Sequence, residues 1–488
     1  MTLDLASLFI FVIAAGLYAA LLSARWRVWA LLIGSVLAIY WLQPPLPPRF
    51  ADFVLPTATL ALTVLSWLLT RPPDAESRQA TWREDRLTAV ILFVLVVALA
   101  FNRYLDAAYR LTASRPPAPL WTAVTLLLLA LLFLLIARFA ARADQRRVLT
   151  GGIVFIVVIF VVLKTDALAT AVANVWRSLT GQNPTLTAPS DLLWLGFSYV
   201  AFRLIHTLRD RQTGLLPALS LREYVTYVIF APAYIAGPID RAERFVQDLR
   251  ALPQMVGLDA ARFGEGGWRI ALGLFKKFVI ADSLAQGMSL TAVNAAQTTS
   301  TLALWVLLYG YALRIYFDFA GYTDIAIGLG LLFGIRLPEN FNRPYLKTNI
   351  TTFWQSWHMT LSNWARFYVF TPLSRALLRR KPRPSPTLIV FVAQLATMIT
   401  IGLWHGITWT FFIWGVWHGV GLFLHKQWSD RTRKWYRGLA DKPAQKRAWT
   451  LFSWFITFQF VVLGWVWFLL PDVGLALEIF GKLFGVGW

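Results

Sequence analysis

The sequence predicts an all-α, multi-pass membrane protein. Three observations predict it: a strongly apolar composition, a series of apolar runs of membrane-spanning length, and basic residues gathered in the short stretches between them. Of 488 residues, 57% are hydrophobic and 15% charged, with 24 tryptophans, and the mean hydropathy is +0.56. A chain of this kind cannot cover its own apolar surface in water. The net charge of +21 would suggest nucleic acid in a soluble protein. Here membrane topology accounts for most of it, so no nucleic-acid partner is expected. With no cysteine in the chain, disulfides, thiol nucleophiles and thiolate metal sites are excluded.

Taken in order, the first run, 5–22, has no basic residues ahead of it and continues directly into further apolar sequence, so it reads as a transmembrane helix rather than a cleaved leader. Runs near 27–42, 52–70, 87–102, 119–137, 149–164, 191–207, 220–236, 266–290, 301–335, 386–404, 408–425 and 450–470 follow. They predict roughly 11–13 transmembrane or re-entrant helices, some tilted or broken. Basic residues close the odd-numbered early runs: Arg25 and Arg27, then Arg71, Arg78, Arg83 and Arg86, then Arg138, Arg142, Arg146 and Arg147. The N-terminus is therefore expected outside the cell or inner membrane.

Within 301–335, Arg314, Asp318 and Asp324 interrupt an apolar run. Ionisable residues at membrane depth turn inward and pair, and the four-residue spacing of Arg314 and Asp318 predicts a mutual ion pair. Gly321, Gly328, Gly330 and Gly334 permit close helix packing. The next stretch, RLPENFNRPYLKTNITTFWQSWHMTLSNWARFYVF, is too polar to span and too aromatic for a solvated loop. It is expected to be re-entrant or interfacial and to line a cavity. Basic stretches at 375–383 and 426–447 flank the apolar pair 386–425, which predicts a helical hairpin with cytoplasmic ends. Those basic ends also suit anionic lipid headgroups or an acidic partner.

The chain holds five histidines, and His358, His405 and His418 fall within this last apolar region. A buried imidazole is costly unless hydrogen-bonded or used. His206 and His425 read as structural, and so does His418, mid-helix on a stripe with Trp414 and Gly421. His405 falls at the hairpin break before Gly406, and His358 lies in the polar segment one turn before Ser362; both read as cavity residues. Zinc is not expected, since no HExxH occurs and the histidine separations match no short ligand spacing. No GxSxG supplies a serine elbow. The economical chemistry is a general base taking a proton from a hydroxyl, which is acyl transfer to an alcohol. A proton-coupled transporter or flippase using Asp318, Asp324 and the histidines is the alternative of another class, but no inverted repeat supports it.

The run YFDFAGYTDIAIGLGLLFGIRLPENFNRPYLKTNITTFWQSWHMTLSNW followed by GLWHGITWTFFIWGVWHG resembles the signature of the membrane-bound O-acyltransferase (MBOAT) family, in its bacterial branch of alginate O-acetyltransferases and teichoic-acid D-alanyl transferases. GFSYVAFRLIHTLRD, AGPIDRAERF and GWRIALGLFKKFVIAD resemble further blocks in the same order, over about 190–470. The resemblance implies helices around a tunnel, a catalytic His405 and a second active-site His358. It places Trp404, Trp357, Ser362, Asp318, Asp324, Asn340, Asn342 and His418 as possible lining. It also implies a 166–488 catalytic core preceded by partly additional helices in 1–165. The implied donor is acyl-CoA or an acylated carrier thioester, and the acceptor a hydroxyl of an extracytoplasmic polysaccharide or other envelope glycan. An acyl carrier protein or an extracytoplasmic acyltransferase is the implied protein partner. In one block this chain has Phe367 where the branch usually has an acidic residue, which bears on donor or partner handling.

Overall fold

In the computed structural model residues 5–72 and 75–486 are described, excepting the side chains at 75, 77 and 78, so Arg78 lies outside the described side chains. All regular elements among them are helical. Among the described residues seven stretches are long and apolar enough to cross a membrane: Ala51–Thr70, Gln79–Tyr104, Pro119–Ala140, Gln145–Lys164, Thr301–Leu332, Pro386–His405 and Pro443–Leu469. The chain divides into two compact units, one of residues 1–270 with 326–337 and the other of 271–325 with 338–488.

The first unit contains α1 (Leu5–Leu21), α2 (Arg27–Trp41), α3 (Ala51–Thr70), α4 (Ala75–Ala100), α5 (Pro119–Ala140), α6 (Gln145–Lys164), α7 (Asp166–Leu179), α8 (Phe197–Thr213), α9 (Leu221–Ile229), α10 (Ala231–Tyr234), α11 (Ala242–Ala251) and most of α12 (Ala260–Leu274). Runs 191–207 and 220–236, expected to cross or enter the bilayer, are each broken rather than single helices. Run 191–207 begins in a short turn, and α8 starts only after Gly196, whose φ of 73° ends the preceding geometry. A side chain there would meet Tyr234 at 2.8 Å. Run 220–236 splits at Phe230, where ψ of 112° closes α9 just before Pro232. Carbonyls freed at such a break need donors. The buried Arg203 guanidinium supplies them, donating to Val228 O at 2.6 Å and Ala233 O at 2.7 Å.

The second unit opens on a π-helical turn, Phe275–Ala281, then α13 (Asp282–Ala285), α14 (Ala292–Gln297), α15 (Thr301–Leu332, as far as Ile325 in this unit), α16 (Ile350–Trp354), α17 (Met359–Ala365), α18 (Thr371–Leu378), α19 (Pro386–His405), α20 (Trp409–Arg437), α21 (Pro443–Leu469) and α22 (Val473–Leu483). The π turn brings consecutive lysines against α15. Lys276 Nζ lies 2.5 Å from Asp324 Oδ2, and Lys277 Nζ lies 2.6 Å from Asp282 and 2.8 Å from Asp318. The expected Arg314–Asp318 pair is therefore corrected: Asp318 pairs with Lys277, and Arg314 donates to Ser289 Oγ at 3.2 Å.

The polar aromatic segment after α15 folds as short helices with Phe353, Trp354, Trp357 and His358 buried. Tyr345 ties it down, donating to Ala312 O at 2.8 Å and accepting from Trp465 Nε1 at 3.1 Å, while its carbonyl accepts from Trp454 Nε1 at 2.8 Å. The predicted hairpin is present as α19 and α20. Ser385 and Thr408 cap their N-termini, each hydroxyl accepting the amide three residues on. Glycines make the close seam between them. A Cβ on Gly415 would lie 2.7 Å from Ile399 Cα, and one on Gly419 would lie 3.0 Å from Leu395 Cα.

Candidate active site

The hairpin turn places His405 as the last residue of α19, and Gly406 to Thr408 lead straight into α20. Residues early in α20 therefore fold back beside it. The half-buried imidazole sits among four rings: Trp404 at 4.5 Å between centroids, Phe468 at 4.6 Å, and Phe411 and Trp414 each at 5.8 Å. Three helices thus contribute to one aromatic enclosure. Apolar walls of this kind keep bulk water off a reacting pair and strengthen the few polar contacts inside.

His358 caps α17 in a left-handed conformation, φ 42° and ψ 53°, which a non-glycine residue adopts only when its surroundings hold it there. Asn340, fully buried, does the holding. Its backbone carbonyl accepts Met359 N at 2.9 Å. Its side-chain Oδ1 accepts Thr360 N at 3.3 Å and Thr360 Oγ1 at 2.6 Å, and lies 3.3 Å from His358 Nδ1. An oxygen that accepts a backbone N–H cannot donate, so His358 Nδ1 carries the proton in the neutral ring. The lone pair is then on Nε2, which is buried and has no hydrogen-bond partner among the described residues.

His418 has the opposite tautomer. An indole N–H only donates, and Trp354 Nε1 donates to His418 Nδ1 at 3.3 Å, so the proton of the neutral ring sits on Nε2. That nitrogen faces Gly464, where a Cβ would come within 2.9 Å of it. The three histidines form one run of touching rings. Trp404 lies 6.1 Å from His358 and 4.5 Å from His405; Trp414 lies 5.8 Å from His405 and 4.7 Å from His418.

The remaining sequence candidates are placed unequally. Asn340 joins the His358 network. Trp357 is buried in the supporting aromatic layer, 5.1 Å from Trp465, and Ser362 Oγ donates to Trp357 O at 3.2 Å. Asp324 and Asp318 are engaged by Lys276 and Lys277. Asn342 is exposed, and its backbone N–H donates to Ser356 O. Phe367 is also exposed. Trp354, Thr360 and Phe468 were not picked out by sequence reasoning, because aromatic and hydroxyl residues are so frequent here that no local pattern separates them.

Residues 119–470 match the sequence profile of a family described as MBOAT, membrane-bound O-acyltransferase family. The match begins well before the residue near 190 at which the resemblance starts by motif. Similar curated proteins include a teichoic acid D-alanyltransferase of Streptococcus thermophilus, 33% identical over 58% of this chain and 70% of its own. A peptidoglycan O-acetyltransferase of Helicobacter pylori is 34% identical over 54% of this chain and 47% of its own. A probable alginate O-acetylase AlgI of Pseudomonas fluorescens is 35% identical over 64% of this chain and 58% of its own. The chain thus spans about half the length of the last two relatives.

Proposed function

This chain belongs to the membrane-bound O-acyltransferase family, and on that premise we propose that it moves an acyl group, acetyl or similar, from a cytoplasmic thioester to a hydroxyl of an extracytoplasmic envelope glycan. The observation that carries this reading is His405 itself: a half-buried imidazole at the break of a hairpin, enclosed by rings and linked through Trp404 to a second histidine with an open lone pair. In the reaction His405 takes the proton of the acceptor hydroxyl as its oxygen attacks the thioester carbonyl. The C–S bond then breaks, and the thiolate leaves with the proton that the imidazolium returns. The new bond is an ester and the second product a free thiol. His358 orients the hydroxyl or the donor through Nε2, and the Asn340 network fixes its ring.

Similar proteins are named for alginate, peptidoglycan and teichoic acid, which supports an envelope polymer as acceptor. The donor is acyl-CoA or an acylated carrier protein. A D-alanyl transfer to teichoic acid from such a carrier is the variant closest in chemistry. The protein sits in the plasma or inner membrane with its N-terminus outside, and the helices of 1–165 are partly additional to the catalytic core at 166–488. Mass spectrometry of envelope glycans from a deletion strain tests the reading. Loss of one ester-linked acyl group names donor group and acceptor together, whereas an unchanged acylation pattern would overturn it.

A further inference from the structure

Away from His358 and His405, residues 348–350 with α20 and α21 line a cavity of about 750 Å³ that has His425 in its wall and that no step of acyl transfer uses. It is two-natured along its length. One end is lined mainly by Leu424, Ile456 and Phe460, the first two of them exposed, with His425, Ser453 and Thr457 beside them. The other carries Arg433 and Arg437, both exposed, with the hydroxyls of Thr432 and Thr450. Three tryptophans cluster toward the cationic end, Trp428 ahead of Arg433 on α20 and Trp435 between Arg433 and Arg437. Trp428 stacks on Trp449 at 6.2 Å, and Trp435 meets the same ring edge-on at 4.9 Å. Apolar side chains giving way to indoles and cations is the change of chemistry met on going from acyl chains to headgroups in one leaflet.

The dimensions agree. From Gly421 to Arg437 α20 rises about 24 Å at 1.5 Å per residue, close to the roughly 20–22 Å of one leaflet with its headgroups. The charge agrees as well. Residues 426–447 hold eight basic residues and only Asp430 and Asp441 as acids, and Asp430 is engaged by Lys426 at 2.6 Å. The cationic end is therefore left with excess positive charge.

We propose that this cavity binds an anionic phospholipid of the cytoplasmic leaflet, its phosphate held by Arg433 and Arg437 and an acyl chain laid along Leu424, Ile456 and Phe460. A hydrophilic acidic protein would leave the apolar half uncovered, which favours a lipid over a protein occupant. The site stands independently of the acyl-transfer reading.

Native mass spectrometry of the delipidated full-length protein tests it, titrated separately with phosphatidylglycerol and phosphatidylcholine. The wild type is expected to retain phosphatidylglycerol in strong preference to phosphatidylcholine. The double variant Arg433→Ala/Arg437→Ala should lose roughly 30-fold in phosphatidylglycerol affinity, at about 5-fold per basic residue near a headgroup. Lys446→Ala/Arg447→Ala removes the same charge outside the cavity and should change affinity less than threefold. Equal retention of the two lipids by the wild type, or equal losses in both double variants, would overturn a built site. Displacement of phosphatidylglycerol by free coenzyme A or by an acidic carrier protein would assign the cavity to that ligand and overturn the proposal.

Discussion

Replacing Lys276 with Met removes the ammonium that lies 2.5 Å from the Asp324 carboxylate, whose side chain is 5% exposed. Removing one partner of a buried pair costs about 3–5 kcal/mol, because the remaining charge is left uncompensated. The lysine is 20% exposed, so water already shares its charge and the lower end, about 3 kcal/mol, is expected. At roughly 2–4 °C per kcal/mol for a unit of 150–250 residues, this corresponds to a fall of about 6–12 °C in the thermal transition of the detergent-solubilised protein. Lys276→Met/Asp324→Asn removes both charges and should recover at least half of that loss. By contrast, Asp318→Asn leaves Lys277 with Asp282 at 2.6 Å, and Asp318 is one-third exposed, so about 1 kcal/mol or less is expected. Additive losses in the Lys276/Asp324 double variant would show that the two groups do not interact. A larger effect from Asp318→Asn than from Lys276→Met would also contradict the assigned pairing.

Gly464→Ala sets a methyl 2.9 Å from His418 Nε2 and 3.3 Å from Trp417, and an overpacking cost of about 1–3 kcal/mol is expected, read as a lowered thermal transition. Asn340→Leu removes the oxygen that orients His358 and accepts from Thr360; kcat should fall further than KM rises, and equal kinetics in the variant would count against a positioning role for the amide. Arg336 grips Glu265 with two hydrogen bonds at 2.8 Å and holds its carboxyl below the ordinary value of 4.5. A carboxylate depressed in the folded state stabilises above its unfolded value, and the effect fades as the pH falls through the folded one. The difference in thermal transition between wild type and Arg336→Gln should therefore be present at neutral pH and shrink below pH 4.5.

What could be read in the sequence was set by local spacing. Apolar length marked the membrane helices, and the His405-Gly406 break between two apolar runs marked the hairpin turn to within a residue of the observed helix end. The apolar run ends at 425, yet α20 continues as helix through the basic stretch to Arg437, because charged residues are good helix formers once a long helix is nucleated. Run 220–236 is apolar enough to span, but Pro232 and the conformation of Phe230 break it, and its carbonyls are met by Arg203 from another helix. The partners of Asp318 and Asp324 lay outside reach for the same reason: an i,i+4 spacing shows neighbours on one helix, whereas Lys276 and Lys277 come from across a packed interface. Within the site, His358 and Asn340 were recognised separately; that one orients the other, and so leaves Nε2 open, depends on a left-handed turn that no spacing announces.

The central claim is that His405 is the base. It is tested most directly by the initial rate of acyl transfer from a thioester donor to a glycan acceptor, using purified protein in liposomes, for wild type, His405→Ala and His418→Ala. A fall of roughly 10²–10⁴-fold is expected for His405→Ala with the thermal transition retained, and a smaller fall for His418→Ala. Near-normal turnover by His405→Ala, or a greater loss from His418→Ala, would contradict the claim.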